Sequence, residues 1–133
     1  MFLKSLLKHS LIKFLSVGVV NTLLCIAVIF GLKFFFNTQD VLANIIGYVI
    51  GLSCSFVLNK RWTFKHSADT LSTAPKFLLV FAIAYLFNIA IVLGLIKLGL
   101  NAYFAHLAGM PIYTVLFYIG SRYYVFTPSR NQL

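Results

Sequence analysis

The chain has 133 residues, room for one domain, yet 61% are hydrophobic, 10% are charged and mean hydropathy is +0.95. A soluble fold of this size has nowhere to hide so much apolar surface, so a water-soluble bundle is excluded and the missing solvent is lipid. The formal net charge of +9 sets eleven Lys and Arg against Asp40 and Asp69. In a soluble protein that balance points to nucleic acid; beside apolar spans it sets orientation and meets anionic headgroups, so the expected partners include membrane lipids and no nucleic acid.

Four long uncharged runs follow in chain order, each long enough to cross about 30 Å of hydrocarbon as a helix. The first, 14–32, comes after Lys4, Lys8 and Lys13. That start is like a signal peptide, but the run is longer than a signal core and no small-x-small cleavage site follows, so it is expected to stay as a span. The second, 41–58, carries Ala43, Gly47, Gly51, Ser55 and Asn59 at intervals of four. Small residues on one face let helix backbones approach closely in lipid, so a helix interface is expected there rather than a ligand site. The partner helix lies in the same chain or in a second copy. A homo-oligomer, with a dimer favoured, is expected because four helices enclose little room for a polar headgroup.

The only long polar stretch follows, with His66, Ser67, Asp69, Thr70, Ser72, Thr73 and Pro75, and it separates two hairpins. The third run is 77–96. The fourth is 98–121, with the span itself placed over 104–121; Pro111 within it is expected to kink or break the helix, because proline removes a backbone hydrogen bond. Cys25 and Cys54 fall in different spans at depths differing by roughly 10 Å, so no disulfide between them is expected. They form no Cys-x-x-Cys pair, and neither a metal site nor a cofactor is expected.

Orientation follows from the basic residues. Lys4, Lys8, Lys13, Lys60, Arg61, Lys65, Lys76, Arg122 and Arg130 fall on one side of this arrangement, and only Lys33 and Lys97 on the other. The positive-inside rule then puts both termini and the central loop in the cytoplasm. The expectation is an all-α membrane protein, a single domain over 1–133, with four transmembrane helices arranged as two hairpins and cytoplasmic ends.

The two hairpins look like a repeat, 13–64 and 76–126. Asn59-Lys60-Arg61-Trp62-Thr63-Phe64 aligns with Ser121-Arg122-Tyr123-Tyr124-Val125-Phe126 at an offset of 62, and Lys13-Phe14-Leu15 resembles Lys76-Phe77-Leu78. Each first span holds one asparagine, Asn21 and Asn88, in registers that differ by about one turn. Two repeats with an even number of spans would be related by an axis along the membrane normal.

Few residues can carry chemistry. Asp40 and Asp69, the only carboxylates, both lie in connections, so no positioned base or nucleophile is available and an enzyme is not expected. A proton-coupled exporter is disfavoured too, since no span holds an acid. Lys60, Arg61 and Arg122 meet the headgroup layer beside Trp62 and Tyr124. They are either orientation signals or a site for a lipid-borne phosphate, which guanidinium binds through two oxygens while the aromatics hold the interface. Asn21, Asn59 and Asn88 are candidates to line a polar cleft for sugar hydroxyls; for Asn21 and Asn88 the other reading is a hydrogen bond between helices.

Three segments, Val17-Gly18-Val19-Val20-Asn21-Thr22, Ser55-Phe56-Val57-Leu58-Asn59-Lys60-Arg61-Trp62-Thr63-Phe64 and Arg122-Tyr123-Tyr124-Val125-Phe126, resemble the GtrA-like family, and the resemblance covers nearly the whole chain. It implies a four-span inner-membrane protein that flips a polyprenyl-phosphate-linked monosaccharide, such as undecaprenyl-phosphate glucose, toward the periplasm for surface polysaccharide modification. Separate glycosyltransferases would make and use that lipid-linked sugar. Tyr124 stands where the family pattern leads one to expect tryptophan. The alternative reading, from another class, is a non-transporting accessory protein that orients a membrane glycosyltransferase.

Overall fold

The structure is a computed structural model describing the backbone of residues 2–127 and the side chains of residues 8–127; the Lys4 side chain and Arg130 lie outside the described residues. The described chain is helical: α1 (Phe2–Phe36), α2 (Asp40–Leu58), a π-helical turn π1 (Asn59–Thr63), α3 (Thr70–Lys97), α4 (Ala102–Gly120) and a second π-helical turn π2 (Ser121–Val125). Lys8–Phe36, Asp40–Thr63, Thr70–Lys97 and Ala102–Val125 are each long and apolar enough to cross a membrane. The helices run past the uncharged segments because a lysine near a span's end keeps its stem in the apolar layer and lifts its ammonium into water. Packing divides the chain between Ser67 and Ala68 into two compact units.

In unit 1, α1 and α2 pack antiparallel. At the closed end Asn37 takes a positive φ of 49°, and the Thr38 amide and hydroxyl donate to Leu32 O at 3.3 and 3.0 Å. Lys33 Nζ and Asp40 Oδ1 pair there at 2.5 Å, both well exposed. Further along, a Cβ on Gly47 would lie 2.6 Å from Ile29 Cγ1, and one on Gly51 would collide with Cys25 Sγ and lie 2.7 Å from Asn21 Oδ1. The Cys25 thiol donates to Gly47 O at 3.4 Å. Ala43, Gly47, Gly51 and Ser55 are the buried residues of α2. The small-residue stripe therefore packs on α1 of the same chain, which is the first of the two partners the stripe allowed. At the open end Phe14 meets Phe64, ring centroids 6.3 Å apart, beside the buried Val17.

In unit 2 the Asp69 carboxylate caps α3 by accepting from Ser72 N at 3.2 Å, while the Ser72 and Thr73 hydroxyls donate to Asp69 O at 3.0 and 2.5 Å. The other end of α3 closes on Gly99 at φ 90°, with Leu100 N donating to Leu95 O at 3.0 Å and Gly99 N to Ile96 O at 2.9 Å. That arrangement satisfies carbonyls that a helix end leaves bare, and its left-handed residue favours glycine. Asn101 Oδ1 accepts from Tyr103 N at 2.9 Å and starts α4. The helix then continues through Pro111, so the local break offered as one outcome for that proline does not occur.

The seam of unit 2 also runs antiparallel. Phe77 packs on Phe117 and Phe126 at 5.1 and 5.9 Å, and Phe81 packs on Phe117 at 6.0 Å. Gly109 sits against Asn88 and Val92, and Gly120 against Val80; no side chain at either glycine fits without displacing those neighbours. Cys25 and Cys54 are both free thiols. Away from the two seams large apolar side chains such as Val19, Leu23, Phe30, Leu86 and Leu107 are exposed, an arrangement that only a lipid solvent makes favourable.

Candidate functional site

Both π-helical turns sit at the open end of a helix pair and are built alike. In an α-helix a stripe of period four drifts about 40° per step, because a turn takes 3.6 residues. The stripe of α2 meets that drift with one widened turn. Phe64 N donates to Asn59 O at 2.9 Å, five residues back, and Thr63 stays buried in line with Ser55 and Asn59. In unit 2 Phe126 N donates to Ser121 O at 2.8 Å, and Ser121 and Val125 are the buried positions. Isolated π-turns within α-helices are found preferentially at functional sites.

Each turn presents an aromatic ring under a lysine from the first helix of its own unit. Lys13 Nζ lies 5.5 Å from the centroid of Trp62, and Lys76 Nζ lies 5.9 Å from that of Tyr124. Sequence reasoning counted Lys13 and Lys76 only as orientation charges. The signal was present, since Lys13-Phe14 and Lys76-Phe77 repeat at an offset of 63 and the turns they touch repeat at 62. Such contacts stabilise by about 0.5–1 kcal/mol when exposed, and Trp62 is 46% exposed. They hold an ammonium and a ring together at the open end of each helix pair.

The candidate phosphate ligands divide between the units. Lys60 and Arg61 lie in π1, half-buried and exposed respectively, and Arg122 lies half-buried in π2. Arg122 donates from Nη1 to the Tyr118 hydroxyl at 3.5 Å, and its guanidinium stands 5.8 Å from the Tyr123 ring centroid. Arg122, Tyr124 and Lys76 thus gather at one end of unit 2, as Lys60, Arg61, Trp62 and Lys13 do in unit 1.

The amides are placed differently. Asn59 is 1% exposed, and its Nδ2 donates to Ser55 Oγ at 3.2 Å. The side-chain oxygens of Asn59, Thr63, Ser121 and Asn88 are buried without a hydrogen-bond partner, and each such atom costs about 1–3 kcal/mol. Asn21 faces Gly51 and accepts weakly from the Cys25 thiol at 3.9 Å; Asn88 faces Gly109. Gly51 precedes π1 by eight residues and Gly109 precedes π2 by twelve, so these amides lie about 12 and 18 Å below their turns. Within its own unit, neither is brought to the basic turn. Both sit where two helices touch, against a glycine of the neighbouring helix, and no interhelical hydrogen bond from either is seen among the described residues.

Comparison with known proteins bears on these turns. Residues 13–126, which run from Lys13 to the last residue of the second aromatic motif, match the family model described as "GtrA/DPMS, transmembrane domain". The chain is 41% identical over 69 residues to a bactoprenol-linked glucose translocase of Shigella phage SfV, covering 51% of this chain and 53% of that protein. It is 42% identical over 60 residues to a prophage bactoprenol-linked glucose translocase homolog of Escherichia coli K12, and 41% identical over 59 residues to the bactoprenol-linked glucose translocase of Salmonella phage P22. Each of those two matches covers 44% of this chain and 49% of the relative, so the chain is matched over about half the length of these curated relatives. Four helices able to span a membrane, two aromatic basic turns and a family match over 13–126 lead to one assignment: this multi-pass membrane protein belongs to the GtrA/DPMS transmembrane-domain family.

Proposed function

We propose that the protein moves a polyprenyl-phosphate-linked monosaccharide, such as undecaprenyl-phosphate glucose, across the bacterial inner membrane for modification of a surface polysaccharide, without catalysing a chemical step. The observation that carries this reading is the identity of about 41% to proteins named bactoprenol-linked glucose translocase, within a family match over 13–126. The geometry within each unit supports it: Lys60 and Arg61 adjoin Trp62 in π1, and Arg122 adjoins Tyr124 in π2, each a cation beside an aromatic ring and suited to a phosphate. Asn59 lies within π1 itself, in the same turn as Lys60 and Arg61. Asn21 and Asn88 would meet the sugar only as the headgroup passes deeper.

The test is flipping by the purified protein in liposomes. A fluorescent or radiolabelled undecaprenyl-phosphate glucose in the outer leaflet should become protected from an added periodate or glycosidase probe at a rate that scales with protein. Protein-free rates with correctly folded protein would sink the proposal and favour an accessory protein of a glycosyltransferase.

We infer further that the chain is a duplicated hairpin with both ends in the cytoplasm. Ser10, Lys13, Phe14 and Val17 in unit 1 and Thr73, Lys76, Phe77 and Val80 in unit 2 occupy like positions, and Asn37 and Gly99 both take a positive φ between their helices. A reporter inserted near Asp69 or fused after Leu133 is expected to report cytoplasm, and one near Thr38 the opposite side. A periplasmic signal from Asp69 would overturn this orientation.

A further inference from the structure

Unit 2 carries an open apolar groove of about 310 Å³ between α3 and α4, at the low end of the range of small-molecule sites. Ile83, Ala84 and Phe87 line it from α3, Leu116 and Gly120 from α4, and Tyr124 from π2. The groove exists because two positions are small. Gly120 has no side chain and lets α4 close onto Val80, and Ala84 is buried with only a methyl group to offer. In unit 1 the positions that correspond at offsets of 62 and 63 are Leu58 and Asn21, one bulky and one polar. The corresponding line there carries a larger side chain and a polar one.

The groove descends from Tyr124 toward Phe87, eleven residues beyond Lys76, or about 16 Å along α3. Its walls are hydrocarbon apart from the tyrosine hydroxyl. At its mouth stands a cation: Lys76 is exposed, lies 5.9 Å from the Tyr124 ring centroid and makes no ion pair among the described residues. Arg122 belongs to the same turn as Tyr124. Asp69, the only carboxylate of this unit, is turned onto the Ser72 amide. An apolar groove of this volume, with a cation at its mouth that makes no ion pair among the described residues, is complementary to the isoprenoid tail of an amphiphile with an anionic head.

We propose that this groove holds the first isoprene units of the polyprenyl phosphate, with its phosphate against Lys76 at the mouth. Resting on the translocase reading above, this assigns the tail to unit 2. Lys76 becomes a binding residue rather than an orientation charge.

The experiment uses the full chain in nanodiscs of zwitterionic lipid and a photoactivatable undecaprenyl phosphate, with cross-linked residues mapped by mass spectrometry. Labelling should be saturable and concentrated on Ile83, Phe87 and Leu116, and excess undecaprenyl phosphate should compete where phosphatidylglycerol does not. Ile83→Trp, which fills the groove from an exposed position, and Lys76→Gln should each weaken labelling about tenfold, with Lys76→Arg restoring it. Leu86→Trp, exposed on α3 outside the groove, should leave labelling unchanged. Saturable labelling on α1 or α2 would overturn the groove while leaving the translocase reading standing. Equal competition by phosphatidylglycerol would also overturn it, making the groove a seat for bulk lipid. Absence of saturable labelling anywhere, with no flipping in liposomes, would remove both readings together.

Discussion

Gly51→Leu and Gly109→Leu are each expected to destabilise the protein by at least about 3 kcal/mol, the upper part of the usual cost of overpacking. The geometry leaves little freedom. At Gly51 even a Cβ meets Cys25 Sγ and Asn21 Oδ1, and at Gly109 it meets Asn88 Oδ1 and Val92 Cγ2. A leucine adds three more carbons, so the two helices must separate along the seam that buries the rest of the stripe. Gly18→Leu and Gly94→Leu are the matched controls, because nothing lies within 4 Å of a Cβ built at either site and leucine is the better helix former. Thermal unfolding of the detergent-solubilised protein, followed by fluorescence-detected size exclusion, should separate the two classes. If Gly51→Leu changes only the size of the particle and leaves its unfolding temperature at the control value, the stripe serves contact between copies and its assignment to α1 is wrong.

The second large effect concerns charge. Arg61→Gln combined with Arg122→Gln is expected to weaken binding of a polyprenyl-phosphate sugar by roughly a hundredfold, and transport with it. A hydrogen bond to a charged group contributes about 1.5–3 kcal/mol, and every 1.4 kcal/mol is tenfold in affinity. Stability and insertion should be nearly normal, since Arg61 is exposed, Arg122 is only half-buried, and its contacts to the Tyr118 hydroxyl and the Tyr123 ring are long. Arg→Lys at both sites should recover part of the binding, because lysine keeps the charge but loses the two-pronged geometry. Binding measured by native mass spectrometry and transport in liposomes test the same variant. Parent-like values in both would reduce these arginines to orientation signals.

These two predictions draw on different layers of information. The arginines were legible as candidates from sequence, because a basic pair beside tryptophan at a span's end is a local feature and recurs 62 residues later. The clash at Gly109 was not. The spacing of four in α2 announced a packing face, but α4 reads Ala105, Gly109, Tyr113, Phe117 and Ser121 along the corresponding line, and an aromatic pair hides the pattern. Only the fold shows that Phe117 goes inward, against Phe77 and Phe81.

By itself the sequence determined the four spans, because crossing hydrocarbon is a property of contiguous composition, and a run of 18 or more uncharged residues states it without reference to any other segment. It also determined which residues could meet an anionic headgroup, since only eleven cations and two acids are available. It did not determine what each span touches. In lipid, apolar residues gain nothing by leaving the solvent for a neighbouring helix, so hydropathy carries no record of the inner face, and close packing of small residues decides it instead. That is why the tertiary structure was needed to turn the Gly47–Gly51 stripe onto α1, to set Asn21 and Asn88 against glycines within their own helix pairs, and to bring Lys13 over Trp62 and Lys76 over Tyr124. The widened turns at Asn59 and Ser121 belong to the same class. They exist because a stripe of period four on a helix of period 3.6 must lose its drift where both helices still have to touch, and that is a condition on two segments at once.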